Sequence, residues 1–187
     1  QRGLDGAGQR HNALAAPGTV AAVTFASRGG VRLHVEQAGR GPAVLIISGT
    51  GGDLRERPTP LEWPLVDSFA LTAFDQRGLG RTDRPDGPYT MADYADDAAA
   101  VLDAVGLDRA HVLGVSFGGM VAQELAIRHP GRIDHLALAC TSSGGPGGSS
   151  YPLHELADLT MEERATRLMD LSDSRWDASW RSAHPER

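Results

Sequence analysis

The stretch Gly114-Val115-Ser116-Phe117-Gly118-Gly119 decides the fold. Ala110-His111-Val112-Leu113 leads into it with the residue types of a strand, and Met120-Val121-Ala122-Gln123-Glu124-Leu125-Ala126 leads out with those of a helix. Strand, G-x-S-x-G and helix in that order predict a sharp turn that holds a serine at its tip, with Oγ exposed above a sheet. A Cβ at position 114 or 118 would strike the neighbouring strand or helix, and glycine removes it. The N–H groups that follow the serine open a helix, where partial positive charge favours an anion. Ser116 is therefore the candidate nucleophile, and the Phe117 N–H a candidate oxyanion donor.

Working upstream, Ala43-Val44-Leu45-Ile46-Ile47 is continuous and apolar, as a strand buried on both faces should be. It runs into a glycine-rich loop, Ser48-Gly49-Thr50-Gly51-Gly52-Asp53. Acyl transfer needs a second N–H donor from the loop after a neighbouring strand, and Thr50 is the candidate. A phosphate-cradling loop is the competing reading, but no Lys-Ser/Thr follows and G-x-G-x-x-G fails on spacing. Val20 to Ala26 and Val31 to Gln37 flank Arg28-Gly29-Gly30 and predict a hairpin. Leu61 to Phe69 carries a helical pattern. Ala70 to Phe74 reads as another buried strand, followed by Asp75-Gln76-Arg77-Gly78-Leu79-Gly80-Arg81-Thr82. That segment is read as a structural turn whose polar side chains tie loops together, in preference to a catalytic acid.

Thr90 with Asp93 three residues on predicts a capped helix, with Met91, Tyr94, Ala98, Val101, Leu102 and Val105 on one face and Gly106 as its stop. Ile133 to Ala139 is a further strand. Buried strands alternating with amphipathic helices predict an α/β protein with a mostly parallel sheet covered on both faces. Beyond Cys140 the pattern changes to a Gly/Ser loop, Thr141 to Ser150, and then to helices over Leu153 to Arg181, where Trp176 and Trp180 share a face. The expected organisation is a disordered leader over 1–19, the α/β core over 20–150 and a helical segment over 151–187.

Composition narrows the function. The 187 residues carry 18 Lys+Arg against 24 Asp+Glu, a formal charge of −6, which argues against nucleic-acid and anionic-membrane surfaces. Cys140 is the only cysteine, so neither a disulfide framework nor a cysteine metal site is expected. No apolar run reaches the roughly 18 residues of a membrane span, and no signal-peptide core stands at the start. The expectation is a cytoplasmic protein with neither nucleic acid nor membrane as a partner. His111, His129 and His135 read as structural or surface histidines. His34, His154 and His184 have no context that marks a general base.

Together, the Ser48–Gly52 loop, the Asp75–Gly80 segment and the Gly114–Gly119 turn resemble the α/β-hydrolase superfamily, closest to small bacterial esterases, enol-lactonases and cofactor-free haloperoxidases. The resemblance covers about Val20 to Ala139. It implies an eight-stranded, mostly parallel sheet with a helical lid inserted after strand six, and Leu153 to Arg181 looks like the start of that lid. Two departures stand out: Ser48, where the family usually has His, and Thr82, where Ser is commoner. Serine at 116 sets the chain apart from the dehalogenase and epoxide-hydrolase branches, which carry Asp. Implied function is hydrolysis of a small-molecule substrate, an ester, lactone or related carbonyl compound, through an acyl-enzyme on Ser116, with Thr50 and Phe117 as oxyanion donors and with no metal and no cofactor. A perhydrolase or haloperoxidase using the same triad, and a non-catalytic ligand-binding protein of the same fold, are the alternatives.

The family order is serine, then acid, then histidine. Strand six ends at Ala139, and Cys140-Thr141-Ser142-Ser143 offers no carboxylate. Asp158, Asp170, Asp173 or Asp177 with His184 satisfies the order, but lid helices would hold them away from the sheet edge. The resemblance therefore implies the N-terminal part of a hydrolase, inactive alone, whose acid and histidine lie beyond Arg187.

Overall fold

The computed structural model describes residues 22–144, 153–172 and 178–184. The expected leader over 1–19, most of the Gly/Ser loop and the Trp176 partner of Trp180 lie outside the described residues. The chain divides into two compact units, Gln1–Ser143 and Gly144–Arg187.

The first unit is a six-stranded sheet in the order β1-β2-β4-β3-β5-β6. β1 (Ala22–Arg28) and β2 (Val31–Gly39) form the expected hairpin, in register from Ala22↔Gln37 to Arg28↔Val31. Its two-residue turn needs positive φ at both positions, and Gly29 (58°) and Gly30 (83°) supply it. β2 pairs antiparallel with β4 (Ala70–Phe74); β4, β3 (Ala43–Ile47), β5 (Ala110–Val115) and β6 (Ile133–Ala139) are mutually parallel. All strands except β2 thus point the same way, and their C-terminal ends share one edge.

The apolar run of β3 divides its side chains between two cores. Leu45 and Ile47 join Leu33, Val35, Val101, Leu102, Val121 and Leu125 under the helices α1 (Met91–Ala104) and α2 (Phe117–Arg128). Val44 and Ile46 join Leu61, Val66 and Leu71 on the opposite face. A strand in the middle of a sheet must be apolar on both sides, and this one is fully buried along Leu45, Ile46 and Ile47. The α1 cap forms as the sequence predicts: Asp93 N–H donates to Thr90 Oγ1 at 3.1 Å and Thr90 N–H to Asp93 Oδ2 at 3.0 Å.

One element differs. Leu61 to Phe69 is not an α-helix but two 3₁₀ turns, Pro60–Glu62 and Pro64–Asp67. Pro64 lacks the N–H a continuing helix needs and drives the residue before it out of the α region; Trp63 stands at φ −68°, ψ 152°. These turns cover the second face of the sheet over β3 and β4. Further along, β6 is an edge strand with little cover, and Leu136 and Leu138 are 38% and 44% exposed.

The second unit holds a 3₁₀ turn, Leu153–Asp158, and the helices α3 (Met161–Ser172) and α4 (Ala178–Ala183), within the span where helices are expected. Thr160 and Glu163 cap α3 reciprocally.

Ion pairs fasten the helical layer to the sheet. Arg77 reaches Asp97 of α1 through two bonds, 2.7 and 2.6 Å, with both side chains buried. Asp96 accepts from Arg28 of β1, from Arg128 and from His129. Removing one partner of the buried pair leaves a desolvated charge, so Asp97→Ala should lower stability by about 3–5 kcal/mol, whereas a double apolar replacement of Arg77 and Asp97 should restore most of it. Urea denaturation of the three proteins checks this. The Arg128 hydrogen bond, with help from His129 and against burial, holds the Asp96 carboxyl down to about 2 from its ordinary 3.8. A depressed carboxylate contributes stability that is complete above 3.8 and is lost as pH falls through about 2. Asp96→Asn should flatten that part of the acid-unfolding profile, read by circular dichroism.

Candidate active site

The elbow takes the form its glycines require. Ser116 lies between β5 and α2 with φ 53° and ψ −120°, a strained backbone for a residue with a side chain, and is exposed. A Cβ on Gly114 would come within 2.6 Å of Gly118 O and 2.7 Å of the Ala122 Cβ. One on Gly118 would run into the carbonyl oxygens of Ile47 and Ser48, so the first turn of α2 sits against the C-terminal end of β3. Ser116 N–H donates to Ala139 O at 2.9 Å and Thr141 Oγ1 donates to Ser116 O at 2.7 Å, which ties the elbow to the end of β6. Phe117 packs edge-on against Tyr94 of α1, with ring centroids 5.1 Å apart, and this fixes the helix start. The Phe117 and Gly118 N–H groups belong to the first turn of α2, where no intrahelical carbonyl can accept them.

The glycine-rich loop stands beside the serine. A Cβ on Gly49 would lie 3.2 Å from Ser116 Cβ and 3.8 Å from its Oγ, so any side chain there would press on the nucleophile. Gly52 N–H donates to Gly49 O at 3.1 Å, closing a turn with Thr50 and Gly51 at its centre, and Gly51 has the positive φ (75°) that turn demands. Thr50 and Phe117, the two expected donors, are thus brought onto adjacent segments at one edge of the sheet. A cavity of about 260 Å³ lies beside this loop, lined among others by Thr50, Gly52, Asp53, Thr59, Trp63 and Asp75.

Two side chains at the end of β4 clamp the loop at both ends. Gln76 Nε2 donates to Ser48 O at 2.8 Å, and Asp75 Oδ1 accepts the Leu54 N–H at 2.7 Å. The other Asp75 oxygen accepts the Arg81 N–H at 2.9 Å, and Thr82 Oγ1 donates to Asp75 O at 2.6 Å. Asp75 and Gln76 are almost wholly buried. The structural reading of Asp75–Thr82 agrees with this network. Gln76 holds the loop by its Ser48 carbonyl, so the Ser48 side chain is not needed for that bond. Nothing local in the sequence singles out Gln76, because its partner is 28 positions away.

No described histidine of the first unit is placed to serve Ser116 as a base. His111 is five residues up β5, about 16 Å at strand rise. His34 lies on β2, three strands from β5 or about 14 Å at strand spacing, and its Nε2 sits 2.8 Å from Glu36 Oε1 and 3.1 Å from Arg81 Nη1. His129 is bound to Asp96, and His135 lies beside His111 near the N-terminal end of β6. Among the described residues no group of three or more His, Cys, Asp or Glu could hold a metal ion, and no helix is long and apolar enough to cross a membrane.

A family model described as alpha/beta hydrolase fold matches residues 42–177. The chain is 31% identical over 176 residues to a 2-hydroxymuconate semialdehyde hydrolase of Pseudomonas putida, covering 84% of this chain and 61% of the relative. Among solved structures, a hydrolase from Pseudomonas aeruginosa is 32% identical with a TM-score of 0.62, over 79% of this chain and 52% of that one. The enol-lactonase of Burkholderia xenovorans is 27% identical with a TM-score of 0.65, over 87% and 63%. The chain thus spans between about half and two thirds of the length of these proteins. The matched family model, together with a strand–serine–helix elbow and a glycine-rich loop at the C-terminal edge of a parallel sheet, makes this chain a member of the α/β-hydrolase fold family.

Proposed function

We propose that the protein is a serine-nucleophile hydrolase of a small ester, lactone or related carbonyl substrate. The observation that carries this is the strained, exposed Ser116 with Gly49 of the glycine-rich loop against its side chain. Ser116 Oγ attacks the carbonyl carbon and gives its proton to a base. Negative charge then builds on the carbonyl oxygen, where the N–H groups of Phe117 and Thr50 hold it. Collapse of that intermediate breaks the bond to the leaving group, which takes the proton, and an acyl group stays on Ser116. Water, activated by the same base, then attacks the acyl carbon and frees the enzyme. The base and its acid come from outside residues 22–144. Residues 151–187 begin a helical lid. Relatives named as a semialdehyde hydrolase and an enol-lactonase support a carbonyl substrate, with no metal or cofactor in these steps. The same reading takes the protein as cytoplasmic.

The test is p-nitrophenyl acetate turnover by the whole protein and by its Ser116→Ala variant. Loss of about 10³-fold or more is expected, since binding and oxyanion stabilisation alone leave a small residual rate. Equal rates in the two reject the assignment. Gly49→Val would crowd Ser116 Oγ, and labelling of the serine by a fluorophosphonate should slow by about 100-fold, the cost of roughly an ångström of misplacement. Ser48→Ala, which keeps the carbonyl that Gln76 holds, should label at the normal rate.

A further inference from the structure

On the face of the sheet away from α1 and α2, the register of β5 against β6 is irregular. Ala110 pairs with Ile133 and Val112 with Leu136, so two residues of β6, Asp134 and His135, stand opposite the single residue His111. This is a β-bulge, and bulges re-aim side chains. In unbroken register His135 would pair with Val112 and point to the helical face. With the extra residue it turns to the side of His111 instead. Asp134, the other residue opposite His111, is taken up by Arg109, whose Nε meets its Oδ1 at 2.5 Å.

The result is two imidazoles with Nδ1 atoms 3.0 Å apart and ring centroids 4.8 Å apart. His111 is half-buried and His135 exposed. They stand in an open apolar trough of about 420 Å³ with Val44, Leu65, Phe69 and Leu113. The Phe69 ring meets His111 edge-on, with centroids 6.4 Å apart. Two neutral imidazoles can share such a contact only if one Nδ1 carries a proton and the other does not. Moving that proton to Nε2 of the same ring leaves two Nδ1 lone pairs side by side.

We propose that His111 and His135 form a bidentate site for a late divalent transition-metal ion of the Cu(II) or Ni(II) type. Two nitrogens about 2.0 Å from one metal are about 2.9 Å apart at a right angle and about 3.3 Å apart at a tetrahedral angle. The observed 3.0 Å therefore matches adjacent positions of a square-planar or octahedral ion better than tetrahedral zinc. Small rotations of both rings converge the lone pairs, and water fills the other positions. Asp134 is engaged by Arg109, and no third described ligand joins the pair. This site is remote from Ser116, and its existence is independent of the proposed hydrolase chemistry.

Titrating the whole protein with Cu(II) in a non-chelating buffer, by calorimetry and electron paramagnetic resonance, tests the site. One equivalent should bind with a spectrum showing two imidazole nitrogens. His111→Ala and His135→Ala should each weaken that step by about tenfold or more. His184→Ala, at an exposed histidine of the second unit, should leave it unchanged. His135→Gln alters an exposed side chain and decides the matter if His111→Ala fails to fold by circular dichroism. No stoichiometric step in the unaltered chain, a step that survives replacement of His135, or its loss in His184→Ala overturns the proposal.

Discussion

The close approach of α2 to the end of β3 governs the rest of the structure. Where the Gly118 Cα meets the Ile47 and Ser48 carbonyls there is no room for a carbon atom, so only glycine lets the helix begin there. That contact fixes the axis of α2, forces Ser116 into its positive-φ turn and sets the serine beside the glycine-rich loop. Gly114 continues the same requirement, and Gly49 keeps the glycine-rich loop close against the serine. Strain at Ser116, of order 1–3 kcal/mol, persists because the strand, the helix and the end of β6 all bind the turn from outside.

Polar groups keep those pieces in place. Asp75 and Gln76 hold the two ends of the glycine-rich loop, Arg77 locks α1 through Asp97, and Asp96 gathers Arg28, Arg128 and His129 at the rim. Consecutive residues at the end of β4 thus serve different layers, because successive positions at a strand end point in different directions. Buried carboxylates and guanidinium groups are tolerated there because each is hydrogen-bonded. A cluster of charged residues next to a candidate nucleophile is here a scaffold that presents the exposed serine.

Much of the architecture was legible in the chain. The β3 run is apolar at every position because both faces of a central strand are buried, and the elbow glycines mark a strand-to-helix turn without reference to anything distant. Thr90 and Asp93 cap α1 through groups three residues apart. Leu61 to Phe69 misled because its apolar spacing suits a helix, while Pro64 removes the hydrogen bond that a helix would need. Gln76 and the His111–His135 pair were not legible. The first depends on a carbonyl 28 positions away, and the second on a bulge that reverses the side on which one histidine emerges.

The sequence by itself determined the periodicities, the turn chemistry and the serine at the tip of its elbow, since these rest on contacts within a few residues along the chain. Only the tertiary structure decided that Gly49 would abut Ser116, that Asp75 and Gln76 would serve as a clamp, and that the described histidines of the first unit would stand away from the nucleophile. Those outcomes depend on strand order and register, which are set when apolar faces of distant segments bury one another, and no local pattern encodes them.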